Sequence, residues 1–223
     1  MADGLGLGYG QTAIVIDDPV DTQSLTAKLT RRLAAEGVLF DWIQYGATIE
    51  LAISDNAGLS DIIVVSREGI EGSFEAFDLP ALIAMKTSAP LLVVPPGQKQ
   101  LDLSGPMMIA WDGSGPAQSA VRAAAPMAAL ASRVDIVSIG ESKGTDAHTA
   151  ARYLAAHGCD NVVIHNRDAG GNAGDTLIVA MGDLGAQWAA AGCYGHSRLK
   201  QQIFGGVTRT LMSKAPIPLM IAH

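Results

Sequence analysis

Two rhythms of apolar and polar positions alternate along this chain. Apolar runs at 107–111, 134–139, 161–165 and 217–222 have the length of buried strands. Between them, 116–131, 147–157 and 175–185 read as helices, and a shorter helix is predicted over roughly 207–214. Short apolar runs alternating with helices predict a mostly parallel sheet covered on both faces. The weak member is AQWAAAG at 186–192, because alanine is a poor strand former. It is read as a strand through its alignment with DIIVVS at 61–66. Near the start, TAIVI at 12–16 reads as a strand, and Pro19 either ends it or interrupts a helix.

The pattern occurs twice. KTSAPLLVVPPG (86–97) shifted by 126 positions places Pro90 on Pro216 in SKAPIPLMIAH (213–223). The same shift runs back without gaps, laying 51–66 on 177–192. Further upstream a shift of 121 overlays Arg31, Leu33-Ala34-Ala35 and Gly37 on Arg152, Leu154-Ala155-Ala156 and Gly158. Repeats of this size fix an architecture. The expected halves are 1–97 and 105–223, joined by a Pro/Gly-rich linker. The second half has one further unit, 106–131, whose counterpart would lie mostly before residue 1. The first half is therefore expected to lack its opening strand and most of its opening helix.

Composition narrows the function classes. The 223 residues carry a net charge of −7, which argues against a nucleic-acid binder. No apolar run approaches the ~18 residues of a membrane span, and MADGLGLGYG is no secretory leader. Cys159 and Cys193 are too few for a disulfide scaffold, so a cytoplasmic protein is expected. The charge is uneven: after Asp183 there are four cationic residues and no acid. That distribution suits a small anion.

Two places could carry chemistry. The first is Gly192-Cys193-Tyr194-Gly195, then nine residues, then Gly205-Gly206-Val207-Thr208, running from a strand end to a helix start. Glycine lets a ligand approach the backbone, and helix N–H groups favour phosphate. The competing reading is a long surface loop that needs glycines for its turns. The first half, aligned by the same shift, has Ser66, Leu79 and Pro80 in place of Gly192, Gly205 and Gly206. It adds Glu68, Glu71, Glu75 and Asp78, which repel an anion. The second place is Asp112 in Trp-Asp-Gly-Ser-Gly, at a strand's carboxyl end, where open α/β sheets bind ligands. It either accepts bonds from a ribose or base, or caps the following helix through an Asx turn. Cys193 has no nearby base and reads as an inert thiol, and His196 as a solvated side chain. No hydrolase elbow, zinc motif or P-loop is present, so no catalytic residue and no metal site are expected.

These residues resemble the universal stress protein (UspA-like) family in its tandem form. The Gly-x2-Gly-x9-Gly spacing, Asp112-Gly113-Ser114 and the closing Ala215-Pro216-Ile217-Pro218 strand carry the resemblance. It implies an α/β fold with strand order 3-2-1-4-5 in each full copy. It implies a stress-response protein binding an adenine nucleotide, ATP or AMP, or a similar anion. Asp112, Ile139 and Ala191 would lie at adenine or ribose, and Gly192, Gly195, Gly205 and Gly206 at phosphate, with Thr208 assisting. Any ATP hydrolysis would be slow and incidental. The last strands, 91–95 and 217–222, would pair to make a pseudo-dimer within the chain, and a homodimer is a further expectation. Gly206 departs from the Ser or Thr usual in nucleotide binders of the family. That lost hydrogen bond is worth about 1.5–3 kcal/mol. The alternative is a pseudo-dimeric scaffold of the stress response that binds no nucleotide.

Overall fold

A computed structural model describes residues 11–15, 22–44, 49–67, 78–140, 144–168, 170–193 and 206–223. The chain divides into two compact units, Met1–Asn56 and Ala57–His223. The first holds β1 (Gln11–Val15), α1 (Thr22–Ala35), β2 (Phe40–Gln44) and α2 (Ile49–Asn56). Its two strands pair in parallel, Gln11 opposite Phe40 through Val15 opposite Gln44. Pro19 falls between β1 and α1, outside the described residues.

The second unit holds β3 (Ile63–Ser66), α3 (Asp78–Lys86), β4 (Leu91–Val94), β5 (Met107–Ala110), α4 (Gly115–Ala128) and β6 (Val134–Ile139). It continues through α5 (Ala147–Ala156), β7 (Val162–Arg167), α6 (Ala173–Asp183), β8 (Trp188–Gly192), α7 (Gly206–Lys214) and β9 (Leu219–Ala222). Seven strands form one sheet in the order β3-β4-β9-β8-β5-β6-β7. Numbered from β5, the last five have the expected order 3-2-1-4-5 and are all parallel. Among the described residues, no helix is long and apolar enough to cross a membrane.

The weak alanine segment is a strand at the centre of the sheet. Trp188, Ala189 and Ala190 are fully buried, with β5 on one side and β9 on the other. Low strand propensity is overridden because both faces and both edges are covered. One face packs Met107, Ile109, Val134, Ile136, Trp188, Ala190 and Met220 against α4 and α5. Helix α4 offers Ala117, Ala124 and Ala128 there, so it can lie close.

The edge of β9 is closed by β4, which runs antiparallel to it. Val93 lies opposite Leu219, and these are counterparts under the 126-residue shift. The pairing therefore has a local two-fold axis between equivalent residues. The strands expected to meet do meet. Leu91, Leu92, Leu219, Met220 and Ile221 are each at most 5 % exposed, and burying a side chain of this size stabilises by about 1.5–3 kcal/mol.

Register corrects the repeat at β3. Ile63 pairs with Leu91, but Ala189 pairs with Leu219. Val65, not Ile63, thus holds the place of Ala189, and Val64 that of Trp188. The gapless alignment slips by two residues. Parity is kept, so side chains stay on the same face, but the counterpart of Gly192 moves from Ser66 to position 68, outside the described residues. The helices α1 and α5 end alike. Val38 donates to Leu33 O and Cys159 to Leu154 O, with Gly37 and Gly158 at φ 68° and 90°, the left-handed cap that favours glycine.

One charged cluster escaped sequence reasoning. Asp135 on β6 is 1 % exposed. It accepts from Arg133 Nε at 3.0 and 2.8 Å and contacts His165 Nε2 at 2.8 Å. Arg133 Nη2 donates to Leu184 O at 2.8 Å, tying the end of α6 to the sheet. Removing the carboxylate strands a half-buried guanidinium. Asp135→Ala should therefore destabilise by about 3 kcal/mol, read by urea denaturation, with loss of the tie to α6 seen as faster amide exchange near Leu184.

Candidate functional site

The carboxyl ends of β5, β6 and β8 and the starts of α4, α6 and α7 enclose a cavity of about 180 Å³. It lies where the chain order reverses between β5 and β8, the switch point of the sheet. Asp112, Ile139, Ala191, Gly192 and Thr208, far apart in sequence, all line it. Gly206 opens α7 as an exposed residue, with nothing within 4 Å of where a Cβ would stand. Gly195, Gly205, His196, Arg198 and Lys200 lie outside the described residues.

Asp112 follows β5 directly. Its Oδ1 accepts from Ser114 N at 3.0 Å, the Asx turn that the sequence allowed. Ser114 in turn caps α4, its Oγ accepting from Ala117 N at 3.3 Å. The carboxylate therefore stands, exposed, at the cavity rim. Gly113 between them has φ +77°, and a Cβ there would come within 2.6 Å of Thr145 N and O. Only glycine fits, because the backbone before α5 docks on this turn. Thr145 N donates to Gly113 O at 3.0 Å. Trp111 Nε1 donates to Thr145 O at 3.0 Å, and Gln118 Nε2 to Thr145 Oγ1 at 3.0 Å. This latch was not foreseen, though the Trp and Gly flanking Asp112 were its visible signs.

The glycine of β8 has a packing reason as well. A Cβ on Gly192 would lie 2.5 Å from Ala117 N and 2.5 Å from Pro116 C, both backbone atoms of α4. Its φ is not positive, so the constraint is closeness rather than conformation. Thr208 is 9 % exposed, and its Oγ1 donates to Gly192 O over a long 3.4 Å, a weak bond that a better acceptor could displace. Apart from Ser114, the rest of the lining is apolar and includes Trp111, Val137, Leu177, Val207 and Leu211. The N-termini of α4 and α7 both reach the cavity, each with the equivalent of about half a positive charge.

The architecture has known counterparts. A universal stress protein from Archaeoglobus fulgidus DSM 4304 is similar over 96 % of this chain and 86 % of its own, with TM-score 0.71 and 14 % identity. The fold is that of the universal stress proteins. A functionally unknown protein from Pseudomonas aeruginosa PAO1 is similar over 95 % of this chain and 81 % of its own, at TM-score 0.66 and 15 % identity. The cytoplasmic domain of a prokaryotic cation chloride cotransporter is similar to this chain as well. Its TM-score is 0.53 at 13 % identity, over 96 % of this chain and 84 % of that one. No protein-family model matches the chain, and no curated protein matches its sequence.

Two outcomes test this local account. Gly192→Ala should push α4 from β8 and cost about 1–3 kcal/mol, measured by denaturation without any ligand present. Burial pushes the Cys193 thiol up to about 12, so it stays protonated at neutral pH. It should resist iodoacetamide in the native protein up to about pH 9 and react on unfolding, as read by mass spectrometry of labelled peptides.

Proposed function

We propose that the second half binds an adenine nucleotide, ATP or AMP, at the β5–β8 switch point, in a cytoplasmic stress-response protein of tandem form. One observation carries the reading: Asp112, Ile139, Ala191, Gly192 and Thr208 converge on one cavity between two helix N-termini. Asp112 would accept from the ribose hydroxyls, Ile139 and Ala191 would flank the base, and the start of α7 with the preceding glycine loop would meet phosphate. The tandem reading rests on the two-fold pairing of Val93 with Leu219 and the matching helix caps. No side chain is assigned as a general base, so any hydrolysis would be slow.

A second reading is favoured by specific geometry. Gly113 and Gly192 are explained by packing alone, and Asp112 Oδ1 is engaged in a turn. The same fold serves as the cytoplasmic domain of a cotransporter. On this reading the chain is a pseudo-dimeric interaction protein that needs no nucleotide.

Calorimetric titration with ATP and AMP separates the two. On the first reading the wild type binds, and Asp112→Ala weakens binding about tenfold or more. Gly206→Ser adds a hydroxyl at the start of α7 and should tighten ATP binding by about one to two decades. Absence of heat at millimolar ATP for both the wild type and Gly206→Ser would sink nucleotide binding and favour the interaction protein.

A further inference from the structure

One peptide group, between Gly113 and Ser114, is held from both sides. Its N–H, that of Ser114, donates to Asp112 Oδ1 at 3.0 Å. Its carbonyl, Gly113 O, accepts twice, from Thr145 N at 3.0 Å and from Gln118 Nε2 at 3.3 Å. A trans peptide is planar, and its N–H and C=O point in opposite directions. What fixes the carbonyl therefore fixes the direction of the N–H, and the N–H holds the carboxylate.

The two donors also hold each other. Gln118 Nε2 donates to Thr145 Oγ1 at 3.0 Å. Gln118 lies in the first turn of α4, and Thr145 comes just before α5, so two elements converge on the same peptide. Both side chains are half-buried, where a hydrogen bond is stronger than in water. The residue on the other side of Asp112 is tied to the same place, since Trp111 Nε1 donates to Thr145 O at 3.0 Å. Asp112 is thus bracketed by two residues that Thr145 holds. Neither Gln118 nor Thr145 lines the cavity, so any effect they have on a ligand passes through the Asp112 turn.

We propose that Gln118 and Thr145 are the positioning residues of the Asp112 carboxylate, and that through it they set a preference for a ribose with both hydroxyls over a deoxygenated sugar. The inference rests on nucleotide binding at the switch point and adds the parts that aim its sugar-binding group. A hydrogen bond weakens steeply as its angle departs from linear. A carboxylate whose turn is loosened therefore loses the hydroxyls first, while apolar contacts with the base are unaffected.

Calorimetric titration of the full chain with ATP and with 2′,3′-dideoxy-ATP tests it. The wild type is expected to bind ATP about tenfold more tightly than the dideoxy compound. Thr145→Val keeps the shape and the backbone bonds of residue 145 and removes only the acceptor for Gln118. Gln118→Leu removes both side-chain bonds. Each should weaken ATP binding about three- to tenfold and leave dideoxy-ATP binding unchanged. Thr145→Ser keeps the hydroxyl and should keep the preference. On an Asp112→Ala background, Thr145→Val should have no further effect. Without nucleotide, the Ser114 amide should exchange its hydrogen faster in Gln118→Leu and in Thr145→Val than in the wild type. Equal weakening of both ligands would show a merely structural role and overturn the proposal. So would unchanged ATP binding, unchanged Ser114 exchange, or an effect of Thr145→Val that persists in Asp112→Ala. A wild type that binds ATP and dideoxy-ATP alike would overturn this inference alone, whereas one that binds neither would remove the nucleotide reading and this inference with it.

Discussion

Helix α4 meets strand β8 almost backbone to backbone, and much of the second unit follows from that approach. With Pro116 and Ala117 so near, β8 can carry only small side chains where the helix crosses, and at Gly192 not even a Cβ. Ala190 on the strand and Ala117, Ala124 and Ala128 on the helix belong to the same buried cluster. Close packing of small groups transmits position faithfully, because interiors have few voids to absorb a shift. The start of α4 is thereby fixed beside the carboxyl end of β8. The cavity between them inherits its floor, its rim carboxylate and one of its helix dipoles from a packing constraint.

The same contact distinguishes β8 from β3. The face of β8 that α4 covers is fully buried, and the corresponding face of β3 is not. In the second half, β5 stands between β6 and β8. Strands β1 and β2 form a separate two-stranded parallel sheet. In the seven-stranded sheet, β5 and α4 are thus both the central ladder and the cover of β8, and α4 forms one wall of the switch-point cavity.

Legibility from sequence followed the range of the determining contacts. Apolar strands such as β6 and β7 depend on neighbours in the chain, and they were readable. The order 3-2-1-4-5 came from the resemblance, and the alanine strand came from the repeat rather than from its own propensity. The sequence placed the Asp-Gly-Ser turn between a strand end and a helix start, where it lies in the structure. The reasons for its glycine and for Gly192 were not legible, because the colliding atoms belong to Thr145 and to Pro116 and Ala117, distant in sequence. A glycine at a strand end looks the same whether a ligand or a helix needs the space. The two-residue slip in β3 was hidden for a related reason. A shift by two preserves the apolar face, so pattern alone cannot detect it, and only the pairing of Ile63 with Leu91 reveals it.

Strand β4 has a structural task within the sheet. Strand β9 is apolar throughout and at most 5 % exposed. With β8 alone beside it, its other edge would present unpaired backbone groups and an adhesive row of Leu, Met and Ile. Strand β4 closes that edge with residues of equal character, Val93 facing its own counterpart Leu219. Strand β4 brings β3 with it, and among the described residues β3 stands at the end of the sheet. The edge that β9 would otherwise present is thus covered by a strand whose own residues Leu91, Leu92 and Val93 are as deeply buried as those they meet.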